Sequence, residues 1–189
     1  TTTTLGVNGN TSIIGSMSFN GTSTKTVSLT GNLSGTGLID MSGSSLLHFL
    51  NLAGSTNSIG SYSSGIGSTV KYTLNGNQTV FTSDNYKNLS ITGSGVKSLI
   101  SDISASGILT MSSGDINSSG NILKVTNSAL TAINRTAGTI IGKLQRAIAV
   151  TGGDYLYPIG SATVYNPLKL NFQSISSGPL TAQFIPSCI

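Results

Sequence analysis

A single histidine, five aspartates and a single cysteine are the residues of this 189-residue chain that could carry chemistry beyond hydroxyl groups. A metal centre or a Ser-His-Asp triad would have to be built on His48. That residue sits in "SLLHFLNL", and its neighbours Leu47, Phe49 and Leu50 make it a strand residue on a mostly buried coil. The many serines offer no nucleophile, because no G-x-S-x-G elbow occurs. Asp40, Asp84, Asp102, Asp115 and Asp154 could converge as a glycosidase pair. Asp40, Asp102 and Asp115 lie in or beside turn sequences, where Asp commonly caps its own backbone. No catalytic, metal-binding or cofactor-binding residue is assigned, and the expectation is a non-enzyme without a cofactor.

The remaining candidates are arrays. Cys188 is the only cysteine, so no disulfide within the chain and no multi-cysteine zinc site can form. Asn10, Asn20, Asn32, Asn77, Asn88, Asn117 and Asn134 each satisfy N-x-[ST], and the alternative use for them is a ladder at coil corners. Tyr62, Tyr72 and Tyr86 could stack on sugar rings or pack across strands. The Thr-rich pieces "TTTTL" and "TSTKTVSLT" raise an ice-binding alternative. That surface needs Thr at the same place in successive coils, and such a register is not visible beyond one or two of them.

Composition narrows the class of protein. Charged residues are 7% of the chain, with Ser, Thr, Asn and Gly in the places where Lys and Glu normally stand. The 37% of hydrophobic residues arrive in regular short doses, which predicts a folded all-β chain. The net charge of +4 is spread from Lys25 to Lys169 with no basic patch interleaved with aromatics, so nucleic acid is not an expected partner. No apolar run approaches a membrane span, and no signal peptide opens the chain. The chain begins inside its own pattern and stops soon after "LTAQFIPSCI", as a piece of a longer protein would.

Strand-like pulses such as "KTVSL", "VKYTL", "NLSI", "GILTM" and "NILKV" are each bounded by Gly, Asn or Ser, the residues that make turns. "SFNGTSTKTVSLTG" from Ser18 is echoed by "TLNGNQTVFTSDNYKNLSITG" from Thr73, and "SGTGLIDMSGSS" from Ser34 by "SASGILTMSSGD" from Ser104. Strands of four or five residues with polar corners suit a solenoid better than a sandwich, whose strands are longer. The expectation is a parallel β-helix over residues 1–150. At roughly 20 to 25 residues per coil and about 4.8 Å rise it would have about six to seven coils. From Thr151 the texture changes: "GGDYLYPIGSATVYNPLKLNF" gathers Tyr and Pro, and its strands are longer. Residues 151–189 are therefore expected to form a β-strand cap or the beginning of a β-sandwich.

The stretch "GSTVKYTLNGNQTVFTSDNYKNLSITGSGVKSLISDISASGILTMSSGDI" resembles a pattern of large secreted proteins of Bacteroidota. There a Y-N-G-x-x-Q-T-V segment leads to Y-x-N-L-x-I-x-G-S-G-x-K-x-L and then to a G-x-L-T-x-S-x-G coil. Tyr72, Gln78, Tyr86, Leu89, Lys97 and Leu109 are among the matching positions. "GKLQRAIAVTGGDYLYPIGSATVYNPLKLNF" is similar to the stretch that joins helical solenoid to β-sandwich in those proteins. The resemblance implies a right-handed parallel β-helix, export by the type IX secretion machinery and a place on the cell surface as an adhesin. Surface polysaccharides or other cell-surface proteins are the expected partners. A polysaccharide-degrading domain and an ice binder are the alternatives.

Overall fold

Gly and Asn at the corners and alternating apolar residues between them wind the chain into a parallel β-solenoid of about seven turns. The computed structural model describes residues 2–43 and 46–186; Cys188 lies outside them. Turn one holds β1 (Thr2–Val7), β2 (Thr11–Ser12) and β3 (Ser16–Ser18), one strand for each of three faces. Turn two holds β4 (Thr24–Leu29), β5 (Leu33–Ser34) and β6 (Leu38–Asp40). Turn three has β7 (Phe49–Leu52) and β8 (Ser61–Ser63), and turn four has β9 (Thr69–Tyr72) and β10 (Gln78–Val80). Turn five has β11 (Asn88–Ile91), β12 (Val96–Leu99) and β13 (Ile103–Ala105). Turn six has β14 (Leu109–Met111) and β15 (Asp115–Val125), and turn seven has β16 (Ile133–Arg135) and β17 (Ile140–Ile148).

Parallel register stacks like on like. On face one, Leu5, Val27, Leu50, Val70, Leu89, Leu109 and Ile133 form one inward column. Val7, Leu29, Leu52, Tyr72, Ile91, Met111 and Arg135 form the next. From Val27 to Ile133 the first column is buried, so each side chain loses its water to the rungs above and below. Leu5, on the first described rung, is 53% exposed.

The first internal repeat is a spatial one. Val27 and Leu89 occupy the same column, as do Leu29 and Ile91. The second is not: "GLIDM" supplies β6 on face three, whereas "GILTM" supplies β14 on face one. Any strand that buries alternate residues after a Gly corner reads alike, whichever face it serves. The two longest strands, β15 and β17, run round a corner without a break. Their first residues pair on face two and their last on face three, with the register shifting between Asn117 and Ile122.

Corners are close contacts between backbones. A Cβ on Gly54 would fall against the Gly31 carbonyl, and one on Gly114 against the carbonyls of Gly93 and Gly95. Asn side chains bind the same corners from rung to rung. Asn10 Oδ1 accepts the Asn32 N–H (3.0 Å), and Asn32 Oδ1 accepts the Thr56 N–H (3.0 Å).

At the C-terminal end the pairing changes sense. After β18 (Asp154–Tyr157), β19 (Ile159–Gly160) still pairs parallel with β17. Then β20 (Leu168–Asn171) returns antiparallel to β18, and β21 (Gly178–Gln183) runs antiparallel along Lys143–Ile148. Tyr155 ties this end together, its hydroxyl accepting from the Ala149 and Val150 N–H groups and donating to Ser128 O (3.0, 2.8 and 3.1 Å).

Candidate functional site

The inward column of face two is where the apolar rule fails. It runs Thr11, Leu33 and Asn57, then Gln78, Lys97, Ile116, Ile140 and Ile159. Asn57, Gln78 and Lys97 are all buried. Each spends its N–H groups on main-chain carbonyls near a corner. Asn57 Nδ2 donates to Gly54 O and Thr79 O, and Gln78 Nε2 to Leu52 O and Gly54 O, at 2.7 to 3.1 Å. Lys97 Nζ donates to Leu74 O, Gly76 O and Ser94 O at 2.7, 2.8 and 2.8 Å. Its ammonium is thus fully hydrogen-bonded, yet burial brings its pKa down to about 8. Near the far end Arg146 does similar work, donating to Leu156 O and Ala129 O.

Beside that column lies an aromatic plug. Phe81 stacks on Tyr86 (5.1 Å between centroids), and Tyr62 packs against both rings (5.6 and 5.5 Å). Burial pushes the Tyr62 phenol up to about 12 and raises the Tyr72 and Tyr86 phenols as well. Tyr62, Tyr72 and Tyr86 therefore pack the bore and offer no ring face to a sugar.

His48 is also interior. Its Nδ1 accepts the Lys25 N–H (3.1 Å), its ring tilts against Phe19, and its Nε2 has no hydrogen-bond partner. Burial first, and the Lys25 charge second, lower its pKa. The aspartates are scattered. Asp40 accepts from the hydroxyl and N–H of Ser42, which hold its carboxyl below the usual range. Asp115 accepts the Thr139 N–H (2.7 Å), and Asp154 binds the Asn171 amide (3.2 Å). Asp102 takes the Ile122 N–H and pairs with Lys124 at 2.9 Å, and the Lys124 hydrogen bond is the main cause of its lowered pKa.

Asp84 is different. On face three, turn four contributes no strand: residues 81–87 hold only the isolated bridge Tyr86↔Ala105 between β8 and β13. Ser83 still accepts the Ser104 N–H, and Asn85 Nδ2 donates to Tyr62 O, so the gap is spanned but recessed. The result is a groove of about 470 Å³ lined by Gly60, Ser61, Tyr62, Thr82, Ser83, Asp84 and Asp102. Asp84 is exposed in it, without a hydrogen-bond or ion-pair partner among the described residues. Thr82 and Ser101 share a hydroxyl hydrogen bond (2.7 Å) at its edge. Hydroxyls beside a free carboxylate are the groups that bind sugar hydroxyls.

The threonine array stops early. Thr2 and Thr24 are in register, as are Thr4 and Thr26, but the next rung brings Phe49 against Thr26. Further along, Thr69 meets Asn88. Among the described residues no group of three His, Cys, Asp or Glu lies close enough to hold a metal ion, and no helix is long and apolar enough to cross a membrane.

Sequence reading assigned no role to Lys97, Gln78 or Arg146. The signal was strand parity. Lys97 shares its side with Leu99, Gln78 with Val80, and Arg146 with Leu144 and Ile148. Comparisons with protein families, with curated proteins and with solved structures give no match to this chain.

Proposed function

We propose that the chain is a structural and adhesive segment of an exported cell-surface protein, non-enzymatic, whose solenoid presents the Asp84 groove to extracellular polysaccharide. The observation that carries the adhesive part is that groove: Asp84 is free, the flanking Ser61 and Thr82 are exposed, and the surrounding ladder holds them on a fixed frame. A carboxylate accepts hydrogen bonds from sugar hydroxyls, and Ser and Thr both donate and accept. Export and surface display are supported by the resemblance of the Gly67–Ile116 stretch to secreted Bacteroidota proteins.

The test is retention of the purified chain on a panel of polysaccharides and on whole cells at low and moderate salt, with reducing ends assayed in the same tubes. Salt-resistant retention that falls at least tenfold in Asp84→Asn, without sugar release, is the expected result. Absence of retention on every surface would overturn the adhesive reading. One observation favours a second reading, hydrolysis, because Asp84 and Asp102 line the same groove. Release of reducing ends, lost in Asp84→Asn, would establish it in place of the first.

A further inference from the structure

Four of the five aspartates are occupied by the chain itself. Asp40 holds Ser42, Asp102 holds the Ile122 N–H and Lys124, Asp115 holds the Thr139 N–H, and Asp154 holds Asn171. Asp84 holds nothing among the described residues, although the segment that carries it is pinned on both sides. Ser83 Oγ accepts the Asn85 N–H (3.0 Å), and the Ser83 carbonyl accepts the Ser104 N–H of turn five. Toward turn three, Asn85 accepts from Ser64 Oγ and donates to Tyr62 O (3.1 and 3.4 Å). A carboxylate kept exposed on a fixed backbone is preorganised for a group from outside the chain.

The groove around it lacks the parts that would hold a neutral or an anionic sugar. Its one ring, Tyr62, is 6% exposed and packs against Phe81 and Tyr86, so no face is free for a sugar ring to stack on. No Lys or Arg is among its lining residues. Two carboxylates are, and the ammonium set against them, that of Lys124, is committed to Asp102 from the next turn, where Lys124 stands in register with Ser104. The recess therefore carries an excess of negative charge in a chain whose net charge is +4. A cleft with low-dielectric walls focuses that field on what enters it.

We propose, on the reading that this groove is the adhesive site, that it selects a cationic polysaccharide, one whose amino sugars keep a free ammonium group. That ammonium stands against Asp84 as Lys124 stands against Asp102, and neighbouring sugar hydroxyls meet Ser61 and Thr82. A hydrogen bond between ions is roughly twice as strong as a neutral one, which supplies the affinity that an aromatic platform would otherwise give. Uronic-acid and sulfated polymers meet like charge and are excluded. N-acetylation removes the ammonium and with it the preference.

The probes are oligomers of glucosamine and of N-acetylglucosamine, equal in length and linkage, with polygalacturonate as the anionic polymer. Binding is measured by calorimetry at moderate salt with a chelator present. The glucosamine oligomer should bind about tenfold tighter than its acetylated partner, because a charged hydrogen bond replaces a neutral one. Polygalacturonate should not bind, and Asp84→Asn should erase the difference between the oligomers. Asp154→Asn removes the same charge from an exposed site outside the groove and should preserve it. Equal binding of both oligomers, lost in Asp84→Asn, overturns the cationic preference and leaves the adhesive reading in place. So does binding of neither oligomer by a chain that is still retained on another polysaccharide, whereas a chain retained on no surface loses both. A glucosamine preference that Asp84→Asn leaves unchanged, or binding that requires added calcium, also overturns the proposal.

Discussion

Tyr72 and Tyr86 hydrogen-bond to each other in the bore, 3.0 Å between phenol oxygens, although 14 residues separate them in sequence. The direction of each proton follows from the other bonds. Tyr86 donates to Phe81 O (2.6 Å), so Tyr72 donates to Tyr86, and the Phe81 N–H donates to Tyr72 (3.1 Å). The circuit thus begins and ends on the backbone of Phe81. It fixes the residue at which turn four departs from strand geometry and opens the groove.

Removing one hydroxyl breaks this circuit in two places. Tyr86→Phe strands the Phe81 carbonyl and the Tyr72 proton in the bore, and an unsatisfied buried group costs about 1–3 kcal/mol. Urea unfolding should show a loss of that size. The double variant with Tyr72→Phe should lose less than the sum of the two single losses, because the shared bond is counted once.

Lys97 predicts a pH dependence with a definite sign. Its pKa is about 8 in the folded chain and 10.5 in the unfolded one, so the unfolded chain binds more protons between those values. Stability therefore rises with pH from about 8 to 10.5. Lys97→Met should remove that rise. It also leaves three carbonyls without donors, so the variant should be less stable by about 3 kcal/mol at neutral pH. Thermal melts of both proteins at several pH values check both outcomes.

Above pH 10 the buried phenols act in the opposite direction. Tyr62 and Tyr157 have folded pKa values of about 12 against 10 unfolded, so the stability they hold is complete below 10 and is lost as pH rises toward 12. The melting temperature should pass through a maximum near pH 10. Ultraviolet difference spectra should show tyrosinate appearing together with unfolding.

His48 sets the acid limb. Its folded pKa lies below the ordinary 6.5, so the stability linked to the neutral ring is present above 6.5 and lost as pH falls through the folded value. A His48→Leu chain should show a flatter stability profile through that window. Proton-detected titration of the ring should place its midpoint below 6.5.

The corners are tested by two glycines. Gly54→Ala drives a Cβ into the backbone of the rung below and should cost about 3 kcal/mol or prevent folding, as overpacking against an immobile neighbour does. Gly15→Ala meets nothing within 4 Å and should change stability by less than about 0.5 kcal/mol.

The solenoid itself was legible in the sequence, because its cause is local. Gly and Asn punctuate each corner, two or three apolar residues alternate between them, and charge is too sparse to cover the faces of a different architecture. Val27 and Leu89 could even be matched by eye, since they stand in equivalent places beside Gly31 and Gly93. Whether "GLIDM" and "GILTM" served the same face could not be read, because a strand's pattern does not record which side of the coil it closes.

Only the tertiary structure decided what the polar residues do. Lys97 looks like a surface residue in "VKSL", yet parity with Leu99 turns it inward. It is tolerated there because carbonyls from two successive turns, Leu74 and Gly76 of one and Ser94 of the next, converge on its ammonium. Nor does the string "TSDNYKN" disclose that Asp84 is left free in a recess while Tyr86 is drawn into the bore. Local sequence sets the corners and the alternation. The meeting of groups some twenty residues apart is set by stacking one turn on another, and stacking exists only once the chain has coiled.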